Sequence, residues 1–187
     1  MAGKRNGKKP HSEFWSWITQ VVLPVAIVLL LNLFVCKLAV VNGDSMYPTL
    51  HERDLLLVLM PNYEPQRGDI VVINTPEEGR MHGDKIVKRI IALGGETVEI
   101  DYDANCVLIN GEALDEPYIN YAEADPMEAF FSGEAVVVPE GFVYVLGDNR
   151  NHSGDSRDPT IGLIAETDIL GVKIAHVPFG EWLGKKG

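Results

Sequence analysis

Ser45 stands in the segment Gly43-Asp44-Ser45-Met46-Tyr47-Pro48-Thr49-Leu50, just beyond a long apolar run. A serine carried on short backbone punctuated by glycine and proline is held in place, and its hydroxyl becomes a nucleophile when a nearby base takes its proton. The same serine also reads as an ordinary turn residue. A base is available in Lys88, inside Ile86-Val87-Lys88-Arg89-Ile90-Ile91-Ala92-Leu93. On a strand Lys88 shares one face with Ile86 and Ile90, while Arg89 shares the other with Val87, Ile91 and Leu93, so both faces are apolar. Burial disfavours an ammonium and lowers a lysine pKa from about 10.4, which leaves an amine able to accept a proton near neutrality. The alternative is an edge strand whose lysine discourages aggregation.

A third constellation is Gly147-Asp148-Asn149-Arg150-Asn151-His152-Ser153-Gly154-Asp155-Ser156-Arg157-Asp158, directly after a hydrophobic stretch. One reading is a solvated loop whose Asx and Ser side chains cap their own backbone. Its crowding of Asp and Arg points instead to an ionic scaffold that fixes backbone. The spacing fails the calcium-loop pattern of D-x-[DN]-x-[DN]-G followed by a distant Glu.

The elements that must position these groups begin with residues 14–36, 23 positions without a charge. At about 1.5 Å per residue they reach about 35 Å, enough for a bilayer core of about 30 Å, and longer than the apolar part of a cleaved leader. Lys4, Arg5, Lys8 and Lys9 precede the run and place its start on the cytoplasmic side. The expected organisation is a basic cytoplasmic tail over 1–13, a single transmembrane anchor over 14–40, and an extracytoplasmic domain over 41–187. Residues 42–187 hold 11 Lys/Arg against 26 Asp/Glu, a balance that repels nucleic-acid phosphates and gives no net attraction to anionic lipid. Of the two cysteines, Cys36 falls in the expected span and Cys106 stands alone outside. No disulfide within the outer domain and no cysteine metal site follows.

Beyond the anchor, short β-type runs alternate with Gly, Pro, Asn and Asp, which predicts a mainly β, antiparallel, barrel-like domain. Strands are expected over 55–59, 70–73 and 86–93, with 97–100 as the return strand after Gly94-Gly95. A further strand over 106–109 ends at an Asn110-Gly111 turn. Residues 135–138 and 142–146 are expected to form a hairpin, and 169–174 a last strand. Around 101–134 the chain is read as a polar excursion, and Phe179 and Trp182 as an amphipathic tail.

With these residues in view, the chain resembles the bacterial type I signal peptidases, in a short form with one anchor like that of Gram-positive members. The resemblance rests on 43–50, on Arg67-Gly68-Asp69-Ile70-Val71-Val72, on Lys88-Arg89-Ile90-Ile91-Ala92-Leu93-Gly94-Gly95-Glu96, and on 147–157. It implies a membrane-bound serine endopeptidase in which Ser45 is the nucleophile and Lys88 the general base. By the same resemblance Ser153 orients the lysine amine, Asp155 and Arg157 brace the site, and Met46 and Val87 line a pocket for small side chains. It implies no metal and no cofactor. Its partners are the signal peptides of exported preproteins, the lipid bilayer, and transiently the secretion machinery. Two departures stand out. Gly43 replaces a serine that Gram-negative members use to hold the oxyanion, leaving the Ser45 N–H as the main donor. Asn151-His152 replaces Asp-Asn or Asn-Asn, so a Ser/His/Asp triad with Asp148 or Asp155 is the competing assignment. The other classes weighed are a self-cleaving Ser-Lys repressor and an anchored β-domain that only binds.

Overall fold

The computed structural model describes residues 15–34, 36–60, 63–75, 83–119 and 125–179. A π-helical turn, Ile18–Val22, runs into helix α1, Leu23–Phe34. The change of helical register falls immediately before Pro24, which lacks the N–H that a regular helix would use. Among the described residues no helix is long and apolar enough to cross a membrane. The apolar segment expected to reach residue 40 changes character at Cys36, where strand β1 (Cys36–Val40) begins. Cys36 is therefore a strand residue opposite Leu59, because β1 satisfies its backbone along β2 (Leu55–Leu59).

Among the described residues eleven strands, β1 the first of them, form two antiparallel sheets. The larger is a curled half-barrel with order β1-β2-β11-β3-β4-β9-β10. It adds β3 (Ile70–Asn74), β4 (Lys85–Ala92), β9 (Phe142–Leu146), β10 (Ile164–Ala165) and β11 (Ile169–Val177) to the first two strands. The smaller has order β7-β6-β5-β8, from β5 (Thr97–Asp101), β6 (Cys106–Ile109), β7 (Glu112–Ala113) and β8 (Val136–Val137). Alternation sets the inward faces: in β2 Leu56 and Val58 are buried while their neighbours are half-buried. In β5 Val98 and Ile100 point inward and Glu99 faces water. Burying each such aliphatic side chain contributes about 1.5–3 kcal/mol. Asn110 and Gly111, both at positive φ, make the expected tight turn between β6 and β7.

Two expected hairpins do not form. β5 does not return along β4 but pairs with β6 and β8. Val98 and Ile100 are buried with Val107 and Ile109 under the small sheet, and the Arg67–Glu96 ion pair and the Arg67 bond to the Ile91 carbonyl (2.9 Å) fix the crossing between sheets. Likewise β8 pairs with β5, whereas β9 pairs with β4 and β10. The N–H and carbonyl of Val138 are engaged by Glu96 and Gly95, so the turn at Gly141 joins two sheets instead of two neighbours. The stretch read as a polar excursion thus contributes β6 and β7 to the small sheet, and Val107, Ile109 and Met127 to its core. Phe179 is exposed, and Trp182 lies outside the described residues.

Candidate active site

Ser45 belongs to the turn between β1 and β2. Gly43 takes φ +92°, a conformation that L side chains rarely adopt, although a Cβ there would meet nothing. The Tyr47 N–H bonds the Asp44 carbonyl and the Leu50 N–H the Met46 carbonyl, both at 2.9 Å. Val41 before the serine and Met46 and Leu50 after it are buried with Leu56 and Val58, so the turn is anchored on either side of a half-buried Ser45. Met46 accordingly packs as core while also lining the cleft, and half-buried Val87 lines it too.

Lys88 enters the cleft from β4, opposite Val71 of β3. Only 2% of it is exposed. Its Nζ donates to Ser45 Oγ at 2.7 Å and to the Val87 carbonyl at 3.0 Å. Burial lowers its pKa to about 8, opposed by the Asp155 and Asp148 carboxylates and aided by the Arg157 cation. The amine therefore loses its proton close to neutral pH while touching the serine hydroxyl.

The loop after β9 closes the site. The Asn149 N–H donates to the Ser45 carbonyl (3.0 Å), and its side-chain amide to the Asp44 carbonyl (3.2 Å). Gly147 passes so close that a Cβ would stand 2.5 Å from the Ser45 carbonyl oxygen and would strike Ser153 Oγ. Ser153 Oγ is buried without a hydrogen-bond partner, so the bond expected from it to Lys88 is not made. The Val87 carbonyl, a backbone group that side-chain patterns do not reveal, receives the amine instead. Arg157 forks onto Asp155 at 2.8 and 2.9 Å, and Asp155 Oδ2 also receives the Gly147 N–H at 3.0 Å. Both side chains are almost fully buried, so the brace is a desolvated, charge-assisted one.

Two further buried ion pairs extend it. Arg89 forks onto Asp148 (2.8 and 2.6 Å) and bonds the Gly68 carbonyl, and Thr49 donates to the same carboxylate. Arg150 forks onto Glu116, a residue the sequence reading passed over because it sits in an acidic stretch with nothing to single it out. His152 is exposed on the cleft rim, and both carboxylates considered as its partners are engaged by arginines. Among the described residues no group of three or more His, Cys, Asp or Glu could hold a metal ion.

A buried amine with a lowered pKa and a hydroxyl within hydrogen-bond reach, in a cleft lined by Val40, Val41, Met46, Ile86 and Val87 among polar groups, are together equipped for acyl transfer. Residues 14–177 match the family described as signal peptidase, peptidase S26. A Bacillus amyloliquefaciens protein named signal peptidase I is 40% identical over 184 residues, covering 94% of this chain and 92% of that protein. Signal peptidase I T of Bacillus subtilis (strain 168) is 40% identical over 186 residues, covering 95% and 93%. A crystal structure of a signal peptidase I from Enterococcus faecalis V583 is 34% identical, with a TM-score of 0.48, and covers 59% of this chain and 97% of that one.

Proposed function

The chain belongs to the signal peptidase family, peptidase S26, and is a serine endopeptidase; from that premise we propose that it removes signal peptides from exported preproteins with a Ser45–Lys88 dyad. The 2.7 Å contact between Nζ and Oγ, made by a buried amine, carries the reading. Neutral Lys88 takes the Ser45 proton as Oγ attacks the scissile carbonyl carbon. The oxyanion of the tetrahedral intermediate accepts the Ser45 N–H, Gly43 supplying the turn that exposes it. Collapse expels the amine, which leaves with the proton held on Lys88, and an ester on Ser45 remains. Water then attacks the ester with Lys88 acting again as base. Lysine has no tautomer to select, so its requirements reduce to desolvation and an orienting hydrogen bond, which the Val87 carbonyl supports. Asp155 and Arg157 brace the loop that carries Ser153.

Substrate recognition follows from the sheet. β9 covers β4 only from Arg89 to Ala92, so one edge of residues 85–88 is free of it, and the end of β1 lines the same cleft. An extended peptide added to that edge aligns its scissile bond with Ser45. Met46, Ile86 and Val87 line the cleft and favour small side chains at the residue before the cut and two positions earlier.

The membrane reading is supported by the helix itself. Every described side chain from Trp15 to Leu29 is exposed or half-buried, including Val25, Val28 and Leu29, so this part of the apolar helix buries no face among the described residues. A single anchor with its basic start in the cytoplasm holds the domain outside, where substrates tethered to the same bilayer reach a raised effective concentration. Transient contact with the secretion machinery follows from the same location.

Purified Lys88→Ala, incubated in detergent with a leader peptide and followed by mass measurement of the product ends, is expected to lose cleavage while keeping its fold. An undiminished rate in that variant overturns the dyad.

A further inference from the structure

No described residue of the arm that follows β7 lines the cleft, yet the arm buries a carboxylate against the loop that does. Glu116 and Arg150 are each 5% exposed. Arg150 Nη1 donates to Glu116 Oε2 at 3.1 Å and Nη2 pairs with Oε1, which also accepts the Tyr118 hydroxyl at 2.7 Å. A guanidinium is planar, so a fork on two nitrogens sets the direction of the third. That third donor, Nε, goes to the Gly147 carbonyl at 3.1 Å. The Gly147 N–H goes the other way, to Asp155. The Arg150 carbonyl in turn accepts Arg157 Nη2 at 2.5 Å. Gly147 is thus held at both its amide and its carbonyl, with the Ser45 backbone against its Cα and the Asn149 N–H on the Ser45 carbonyl two residues later. The Tyr118 ring, bonded to the same carboxylate, stacks 3.8 Å from the guanidinium carbon of Arg89, the partner of Asp148.

Stability alone is a poor reason for such a pair, since a well-packed apolar pair of similar volume commonly serves a buried site as well. Orientation is a better one. We propose that Glu116 is a positioning residue of the reaction: by fixing Arg150 it sets the Gly147 carbonyl and, through residues 147–149, the place of Ser45 relative to Lys88. The proposal rests on the dyad reading above and extends the machinery to a residue of the small sheet's connection that touches no substrate.

The test uses the full chain in detergent with a leader peptide. Glu116→Gln keeps the shape and removes the charge. Its kcat is expected to fall between tenfold and a hundredfold, the scale of a displacement of about 1 Å at a reacting group, while KM changes by less than about threefold because Glu116 is not in the cleft. The double variant Glu116→Leu with Arg150→Met removes both charges and is expected to melt close to the unaltered protein yet keep the low kcat, since the Gly147 carbonyl still lacks its donor. A merely structural pair would instead give kcat that follows thermal stability and returns in the double variant. If Glu116→Gln does not stay folded at the assay temperature, the double variant decides alone. Unaltered kcat in a folded variant of either kind overturns the proposal. Lys88→Ala is run alongside: inactive there but normal in the Glu116 variants, the enzyme loses only this inference, whereas an active Lys88→Ala sinks the dyad itself.

Discussion

The two sheets of this molecule differ in charge and in their relation to the cleft. Residues 97–137, which form the small sheet and its connections, carry ten acidic and no basic side chains, and none of the described ones lines the cleft. The large sheet and its loops supply Ser45, Lys88 and the Gly147–Arg157 segment, and there each buried arginine is matched to a carboxylate: Arg89 with Asp148, Arg157 with Asp155, Arg150 with Glu116. Charges of one sign are tolerable where they face water and salt screens them. Beside a buried amine the same charges act at low dielectric, so their number and direction set its proton affinity. The connections of the small sheet reach the loop behind the site through buried groups, Glu116 and Met127 among them.

The contrast is broken most sharply at the closest approach between loop and serine. Gly147→Ala puts a methyl against the Ser45 carbonyl oxygen and the Ser153 side chain. The expected result is about 1–3 kcal/mol of lost stability by thermal melting and cleavage of a leader peptide slowed about a hundredfold; a rate like that of the unaltered chain would mean that the loop does not set the serine. Next in size is the dependence on pH. As the proposed base Lys88 must be neutral, and with a pKa lowered to about 8 by burial it is protonated below that pH. kcat/KM is therefore expected to fall about tenfold per unit as pH drops below 8, and to level off above it. Asp155→Asn removes a carboxylate that favours the ammonium, so in a folded variant the acid limb moves to lower pH; a shift the other way contradicts the charge assignment. The smallest effects belong on the exposed groups. His152→Ala is expected to keep cleavage within about threefold, and Glu99→Gln, on the outer face of the small sheet, to leave stability within about 0.5 kcal/mol. A His152 loss as large as that of Lys88→Ala would revive a histidine base.

Legibility in the sequence followed locality. The strand runs were readable because alternation and turn residues act within a few positions: β2, β3, β6 and the β6–β7 turn fall where the pattern put them. Lys88 drew notice as a cation inside an apolar run, and the loop after β9 as polar residues crowded behind a strand. The pairing of β4 with β5 and of β8 with β9 was misread because a short glycine turn permits a hairpin but does not require one. β5 instead buries Val98 and Ile100 with Val107 and Ile109, and Val138, just after β8, is buried in the same cluster. Glu116 was invisible for a related reason: it meets Arg150 34 residues away, and in a stretch with many acids nothing marks it.

The sequence by itself determined the periodicities, the turn positions, the charge asymmetry and the residue types able to transfer an acyl group, all properties of neighbours along the chain. Only the tertiary structure decided that Lys88 is dry enough to lose its proton near neutrality, that the Val87 carbonyl and not Ser153 holds its amine, and that a glutamate of the other sheet's arm fixes the loop behind Ser45. Desolvation and hydrogen-bond direction depend on groups distant along the chain, and those meet only when strand edges have chosen their partners.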